Sequence, residues 1–372
     1  MLPTAVLPED ADLLSTVSSE GDNCLRYSPS WESDEECYSD FAFSDICLNA
    51  FHYSGYRWTV GVKPEIIDED GEFLTSTNQE TAVERYSNGT KGECGALNKG
   101  HTKGQQFSVS EYNEVLVNLM TAIFADILCD NNRTILYYKL QESQDYNAYI
   151  EHTRNLCNVN LTEASDDERL ALFLNIYNMM WIHVTHIHGP PRSIWERRKL
   201  MNCSYYQIQH HKYAPHSILD GILRSNRKGL GTLWKPFGKV DGRLPFILSS
   251  CEPLVHFALN TGTRSTPPIR PYNCKTVREE MRNNACDILE TDNILRIDTK
   301  KKVLYLAKVF KWYANDFGGT TEKTIEWILT IMEKSTSKKR IDLEEIYYGG
   351  HYELVYIQHD WAFNGETFEN KL

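Results

Sequence analysis

A chain of 372 residues suits one large domain with appendages, since domains cluster near about 100–200 residues. Residues 1–105 hold 19 Asp and Glu against 7 Lys and Arg, and the rest of the chain balances 32 acids with 32 bases, so the whole net charge of −12 sits in a leader. A neutral body argues against a nucleic-acid partner bound through a basic face. The opening residues MLPTAVLPEDADLL lack the basic and apolar segments of a secretory signal, and the longest apolar stretch, Leu170 to Val184, is interrupted by Asn175 and Asn178. The expectation is a cytoplasmic protein with no membrane partner.

Residues 1–105 mix acidic runs such as Glu32–Glu36 with Ser, Gly and Asn and show no sustained periodicity, which predicts a largely disordered acidic leader able to recruit a protein partner. Within it, Tyr53 to Val62 forms a short aromatic, β-type run that could dock on the body. The globular domain is assigned to 106–372. A helix is predicted from Ser110 to about Cys129 on the spacing of Leu116, Leu119, Met120, Ile123 and Ile127, and a second over 133–156. The clearest helix starts at the capping box Ser165–Glu168 and stops at Gly189-Pro190-Pro191. Another capping box, Thr276 to Glu279, precedes a helix toward Glu290. A hairpin then follows at 294–306, with a late helix at 326–332 and a late strand at 353–357. Helices and strands mixed without a regular βαβ rhythm predict an α+β fold: a helix-rich single domain with a small, mostly antiparallel sheet.

The ten cysteines contain no C-x-x-C pair, so isolated thiols are expected rather than a zinc site or redox pair. His183 and His186 share a helix face, yet no carboxylate pattern accompanies them, and neither metal nor cofactor is expected. Asn175, Tyr177 and Asn178 are polar groups in an apolar helix. Buried carboxamides need partners, so these residues are expected to tie neighbouring loops to the helix. The segment Thr261-Gly262-Thr263-Arg264-Ser265-Thr266-Pro267-Pro268 reads either as a rigid loop whose amides cradle an anion, with charge from Arg264 and Arg270, or as an ordinary polar turn.

Five blocks in order, LFLNIYNMMWIH (172–183), ILDGILR (218–224), HFALNTGTRSTPPIR (256–270), VLYLAKVFKWYANDFG (303–318) and HDWAFN (359–364), resemble the family called domain of unknown function 547. The resemblance spans about 130–364. It implies I-E-H-x-I-L-R in the second block and C-G-x-x-S-[CS]-P in the third, a Glu, His and Cys set that would suit a thiol nucleophile with an oriented base. This chain has Leu219 at the Glu position, Asp220 at the His position and Thr261 at the first Cys position, with Thr266 at the later Cys or Ser position. The expected function is therefore a non-catalytic binding or scaffold protein on an enzyme-like fold. Its degenerate site is Leu219, Asp220 and Thr261, and its binding residues are Asn175, Tyr177, Asn178, His256, Asn260, Gly262, Arg264, Ser265, Thr266 and Asp360. The alternative is a hydrolase or transferase using Thr261, Ser265 or Cys251 as nucleophile, with His256 as base.

Overall fold

The computed structural model describes residues 95–100 and 104–367, all in one compact unit of the chain. The leader as far as residue 94, with its Tyr53–Val62 run, lies outside the described residues. The packed chain starts ahead of residue 106. Leu97 donates to the Tyr205 carbonyl, and the Asn98 carboxamide bonds the Thr153 carbonyl and both the amide and the carbonyl of Gln207.

Strand β1 (Phe107–Ser108) enters helix α1 (Val109–Ile127), which Ser108 and Glu111 close with a reciprocal capping box. The helix predicted over 133–156 is not continuous. Asp130, Asn131 and Asn132 take positive φ values of 50–63°, and this left-handed turn folds β2 (Leu128–Cys129) back on β3 (Thr134–Leu136). A 3₁₀ turn at 137–139 follows, then α2 (Gln144–Thr153), started by its Ser143 cap, and β4 (Val159–Asn160).

Helix α3 (Asp166–His188) begins at the Ser165–Glu168 box and ends at Gly189, whose φ of 77° only glycine adopts freely. Next come α4 (Ile194–Cys203), β5 (Tyr206–Ile208) and β6 (His211–Tyr213). Ser217–Leu223 then forms a π-helical turn, its wider spacing visible where Arg224 N–H bonds the Leu219 carbonyl and Asn226 N–H the Gly221 carbonyl. Helix α5 (Val277–Leu289) lacks the expected capping box. Thr276 Oγ1 donates instead to Glu280, which also accepts from the Asn273 amide, so the carboxylate that fixes this start is one residue later than predicted.

The remaining elements are β7 (Leu295–Asp298), β8 (Val303–Ala307), α6 (Lys308–Trp312), α7 (Thr321–Ile331), α8 (Lys338–Tyr348), β9 (Glu353–Ile357) and β10 (Gly365–Glu366). The hairpin predicted at 294–306 is β7 and β8, with Leu295 opposite Leu306. The fold is α+β. Its strands, expected as one small and mostly antiparallel sheet, form four two- or three-stranded sheets among the described residues, in which β1–β4, β3–β10 and β8–β9 are parallel. Each parallel partner returns from far along the chain after helical crossovers, as parallel pairing demands. No helix among the described residues is long and apolar enough to cross a membrane. Cys203 is disulfide-bonded, against the expectation of isolated thiols, whereas Cys129, Cys157, Cys251, Cys274 and Cys286 are free.

Helix α3 is the centre of the core, with every residue from Leu170 to Thr185 buried. Burial on all sides leaves its carboxamides no water, and the loops supply partners. Asn175 Nδ2 donates to Asn113 Oδ1 (2.9 Å) and to the Tyr272 carbonyl (2.8 Å), while its Oδ1 accepts from the Tyr272 amide (2.9 Å). Asn178 donates to the Ala258 carbonyl (3.0 Å) and accepts from the Asn260 amide (2.9 Å). His183, one of the histidines considered as a metal ligand, meets the Tyr206 hydroxyl through Nδ1 at 2.8 Å, and Tyr206 meets Tyr149. No group of three or more His, Cys, Asp or Glu among the described residues is arranged to hold a metal ion.

Replacing Asn175 with Ala strips partners from the buried Tyr272 amide and Asn113 oxygen and is expected to cost roughly 2–6 kcal/mol in urea unfolding, at about 1–3 kcal/mol for each orphaned group. A loss below about 1 kcal/mol would mean that the carboxamide does not hold the 272 loop. Burial, helped by the charges of His186 and His188, pulls His183 down to about 3. The unfolded chain then binds protons more readily, so this stability is complete above about pH 6.5 and is lost as pH falls toward about 3. Its span is on the order of 5 kcal/mol. Thermal melts between pH 7 and pH 4 should decline more steeply for the native chain than for His183→Asn; parallel declines would remove His183 as the source.

Candidate functional site

The π-helical turn brings His216, Asp220 and Arg224 to one side. Asp220 Oδ2 meets His216 Nδ1 at 2.8 Å and its Oδ1 meets Arg224 at 2.5 Å, so both carboxylate oxygens are engaged. A side chain at Gly229 would collide with Asp220 and His216, and its absence lets the 228–229 backbone close over the carboxylate, where the Lys228 carbonyl also accepts from Arg224. The other edge of Arg224 is forked onto Asp316, Nε to Oδ2 at 2.5 Å and Nη2 to Oδ1 at 3.0 Å. Asp316 also meets Arg227 (2.8 Å) and His256 Nε2 (2.9 Å). Its side chain is wholly buried. Burial raises its pKa, but the hydrogen bonds from His256 and Arg224 and the guanidinium charge outweigh that and hold it well below the usual carboxylate range.

His256 stacks on Tyr313 with ring centroids 4.0 Å apart, and burial lowers its pKa despite Asp316. A carboxylate can only accept, so the neutral ring carries its proton on Nε2. Cys251 lies beside this network. Its thiol is pushed up to about 12, first by burial and then by the Asp316 charge. Leu219 faces away into the hydrophobic core.

The 261–268 loop is built differently from an anion cradle. The Gly262 amide donates to Asn260 Oδ1, the Arg264 amide to the Ala362 carbonyl, the Ser265 amide to the Asp360 carbonyl and the Thr266 amide to the Thr263 carbonyl. These amides already have acceptors inside the protein. Arg264 is exposed and Arg270 faces Asp287 at 3.5 Å, so neither supplies charge to the loop interior. The block HDWAFN forms the loop's other rail: the Asp360 amide donates to Ser265 Oγ, His359 Nε2 meets Thr263 Oγ1, and Asn364 Nδ2 donates to Asn260 Oδ1. The Asp360 carboxylate accepts from the Ala362 amide and so shapes its own turn.

Thr261 is held by its backbone, the carbonyl accepting from Arg197 of α4. Its hydroxyl has no hydrogen bond to a His, Asp or Glu among the described residues. Tyr177 is buried, which raises its pKa; the Asp220 charge raises it further and Arg197 lowers it. Arg197, Arg224 and Arg227 are the residues that sequence reasoning missed. Arg224 closes the ILDGILR block and had a signal there; Arg197 lies in a WERRKL run that reads as solvated charge.

Residues 161–288 match a family model described as a protein of unknown function, DUF547. The matched span includes the 172–183, 218–224 and 256–270 blocks and stops before 303–318 and 359–364. No curated protein and no solved structure matches the chain.

Asp316→Asn keeps the volume but leaves Arg224 and Arg227 facing an amide, and is expected to cost roughly 3–5 kcal/mol at pH 7. A carboxylate with a lowered folded pKa stabilises above its unfolded value near about 4, and that stability disappears as pH falls through the folded value. The gap between native and variant urea midpoints should therefore narrow from pH 7 to pH 3. A gap that is small at pH 7, or that widens in acid, contradicts the ion-pair account.

Proposed function

The chain belongs to the DUF547 family through residues 161–288, and from that premise we propose that it is a non-catalytic binding or scaffold domain on an enzyme-like fold. The state of Asp220 carries this reading. The residue at the family's His position holds Arg224 with one oxygen and His216 with the other, and among the described residues no hydrogen bond joins it to Thr261. Leu219, at the Glu position, packs in the core and offers no group to orient a base.

The nucleophiles of the alternative reading fare no better. A thiol near 12 gives Cys251 roughly a thousandfold less thiolate at neutral pH than an ordinary cysteine. The Ser265 hydroxyl accepts from the Asp360 amide, and His256 gives its Nε2 proton to Asp316. Binding to a protein partner through the acidic leader belongs to this proposal. So does a cytoplasmic location, against which the Cys203 disulfide weighs, because disulfides persist mainly in oxidising compartments.

Purified protein is expected to turn over no member of an ester panel and to leave Thr261 unlabelled by hydroxyl-directed probes, with iodoacetamide modifying Cys251 far more slowly than a free thiol. Turnover abolished by Thr261→Ala or Cys251→Ser would overturn the reading.

A further inference from the structure

The even charge of the body conceals an uneven distribution. Residues 192–243 hold 11 Lys and Arg against 3 Asp and Glu. Within that basic stretch, the run Leu233-Trp234-Lys235-Pro236-Phe237-Gly238-Lys239-Val240 carries the two most exposed large apolar side chains among the described residues, Val240 at 99% and Trp234 at 81%, with Leu233 at 59%. Single apolar residues scattered over a surface need no explanation, but three within eight positions mark a place of contact.

The run is pinned at its middle. Phe237 is buried, and the Asn226 carboxamide clamps its backbone from both sides, accepting from the amide at 3.0 Å and donating to the carbonyl at 3.0 Å. The ring rests against Gly221, where a side chain would collide with it, and under the Arg243 guanidinium at 4.2 Å. Turns bound the run on either side, one closed by the Thr232 amide on the Gly229 carbonyl and the other by the Asp241 amide on the Gly238 carbonyl. A fixed centre thus holds two exposed tips, Leu233–Lys235 and Lys239–Val240, in place before any partner arrives, so contact through them costs little ordering.

Each tip joins apolar surface to an ammonium. Lys235 and Lys239 are exposed, as are Lys228 just upstream and Lys212, whose carbonyl accepts from Arg243 beside the loop. The one acid between residues 221 and 243, Asp241, is bound by Arg243 at 2.7 Å, and the four lysines form no ion pair among the described residues. Such a surface calls for an anionic partner. Leu233 and Val240 are aliphatic and offer nothing for a nucleic-acid base to stack on. An indole among lysines, whose stems lie along apolar matter while their heads stay at the polar level, fits the boundary between hydrocarbon and anionic headgroups. We propose that the 233–240 loop docks the domain on an anionic lipid surface, with Leu233, Trp234 and Val240 entering the interface and Lys212, Lys228, Lys235 and Lys239 facing the headgroups. The contact needs no membrane-spanning helix, and it departs from the expectation of no membrane partner. It goes beyond the non-catalytic reading and does not rest on it.

The test sediments the full chain with sucrose-loaded vesicles of phosphatidylcholine, with and without a minority of phosphatidylserine. Binding is expected only where phosphatidylserine is present and should weaken as salt is added, because salt screens the surface charge. Trp234→Ala should weaken it roughly tenfold through lost apolar burial. Lys235→Glu should weaken it roughly thirtyfold, at about fivefold for each of the two charges changed. Both side chains are exposed, so both variants should fold as the native chain does. No binding of the native chain to the phosphatidylserine vesicles would overturn the proposal, as would binding that neither substitution weakens. Equal binding to both kinds of vesicle would overturn the anionic assignment. Capture of a single-stranded oligonucleotide in place of vesicles would give the loop to nucleic acid instead.

Discussion

A helix buried on every side and carrying two carboxamides imposes most of the architecture. Asn175 and Asn178 lie three residues apart in α3 and cannot reach water, so each must be closed by backbone from elsewhere. Asn175 fastens the Tyr272 segment and α1 through Asn113; Asn178 fastens the chain at Ala258 and Asn260. The loop between these two anchorages is 261–268. Its position relative to α3 is therefore set from both ends by hydrogen bonds whose loss would strand buried polar groups, and it needs no regular secondary structure of its own.

The same loop owes its internal form to a segment nearly a hundred residues later. Four of its amides or hydroxyls pair with 359–364, and the Asn260 oxygen takes both the Gly262 amide and the Asn364 carboxamide. Beside it, the π-helical turn at 217–223 widens the helix so that Asp220, His216 and Arg224 stand together, and Arg224 draws Asp316 into the core. Two carboxylates, Asp220 and Asp316, are matched by Arg224 and Arg227, with His256 neutral. The network is balanced within itself, and neighbouring Cys251 is pushed away from ionisation first by its own burial and then by the Asp316 charge.

Physical reasoning on the sequence reached these features unequally. Helix α3 was legible at both ends because a reciprocal capping box and a Gly-Pro-Pro stop are local signals, and its carboxamides were legible as loop ties because an amide in an apolar helix has few alternatives. The β7–β8 hairpin was legible for the same local reason. Over 133–156, tyrosines and leucines fit a helix as well as a strand, and three consecutive left-handed residues at Asp130–Asn132 decided against one long helix. The loop's use of its own amides could not be read locally, since the acceptors at Asp360 and Ala362 are distant in sequence. Parallel pairing of β9 with β8 was hidden likewise.

The two buried arginines show how position, not residue type, sets chemical role. Arg224 sits where the chain has replaced the expected Glu and His by Leu219 and Asp220, and there it meets enough carboxylate to be neutral in sum; nothing in that network calls for a further ligand. Arg197 is equally sheltered but meets the Thr261 carbonyl and the Trp181 ring, and no carboxylate among the described residues. Asp220 and Asp316 are thus closed on cations inside the protein, while Arg197 is tied to the backbone of the 261–268 loop.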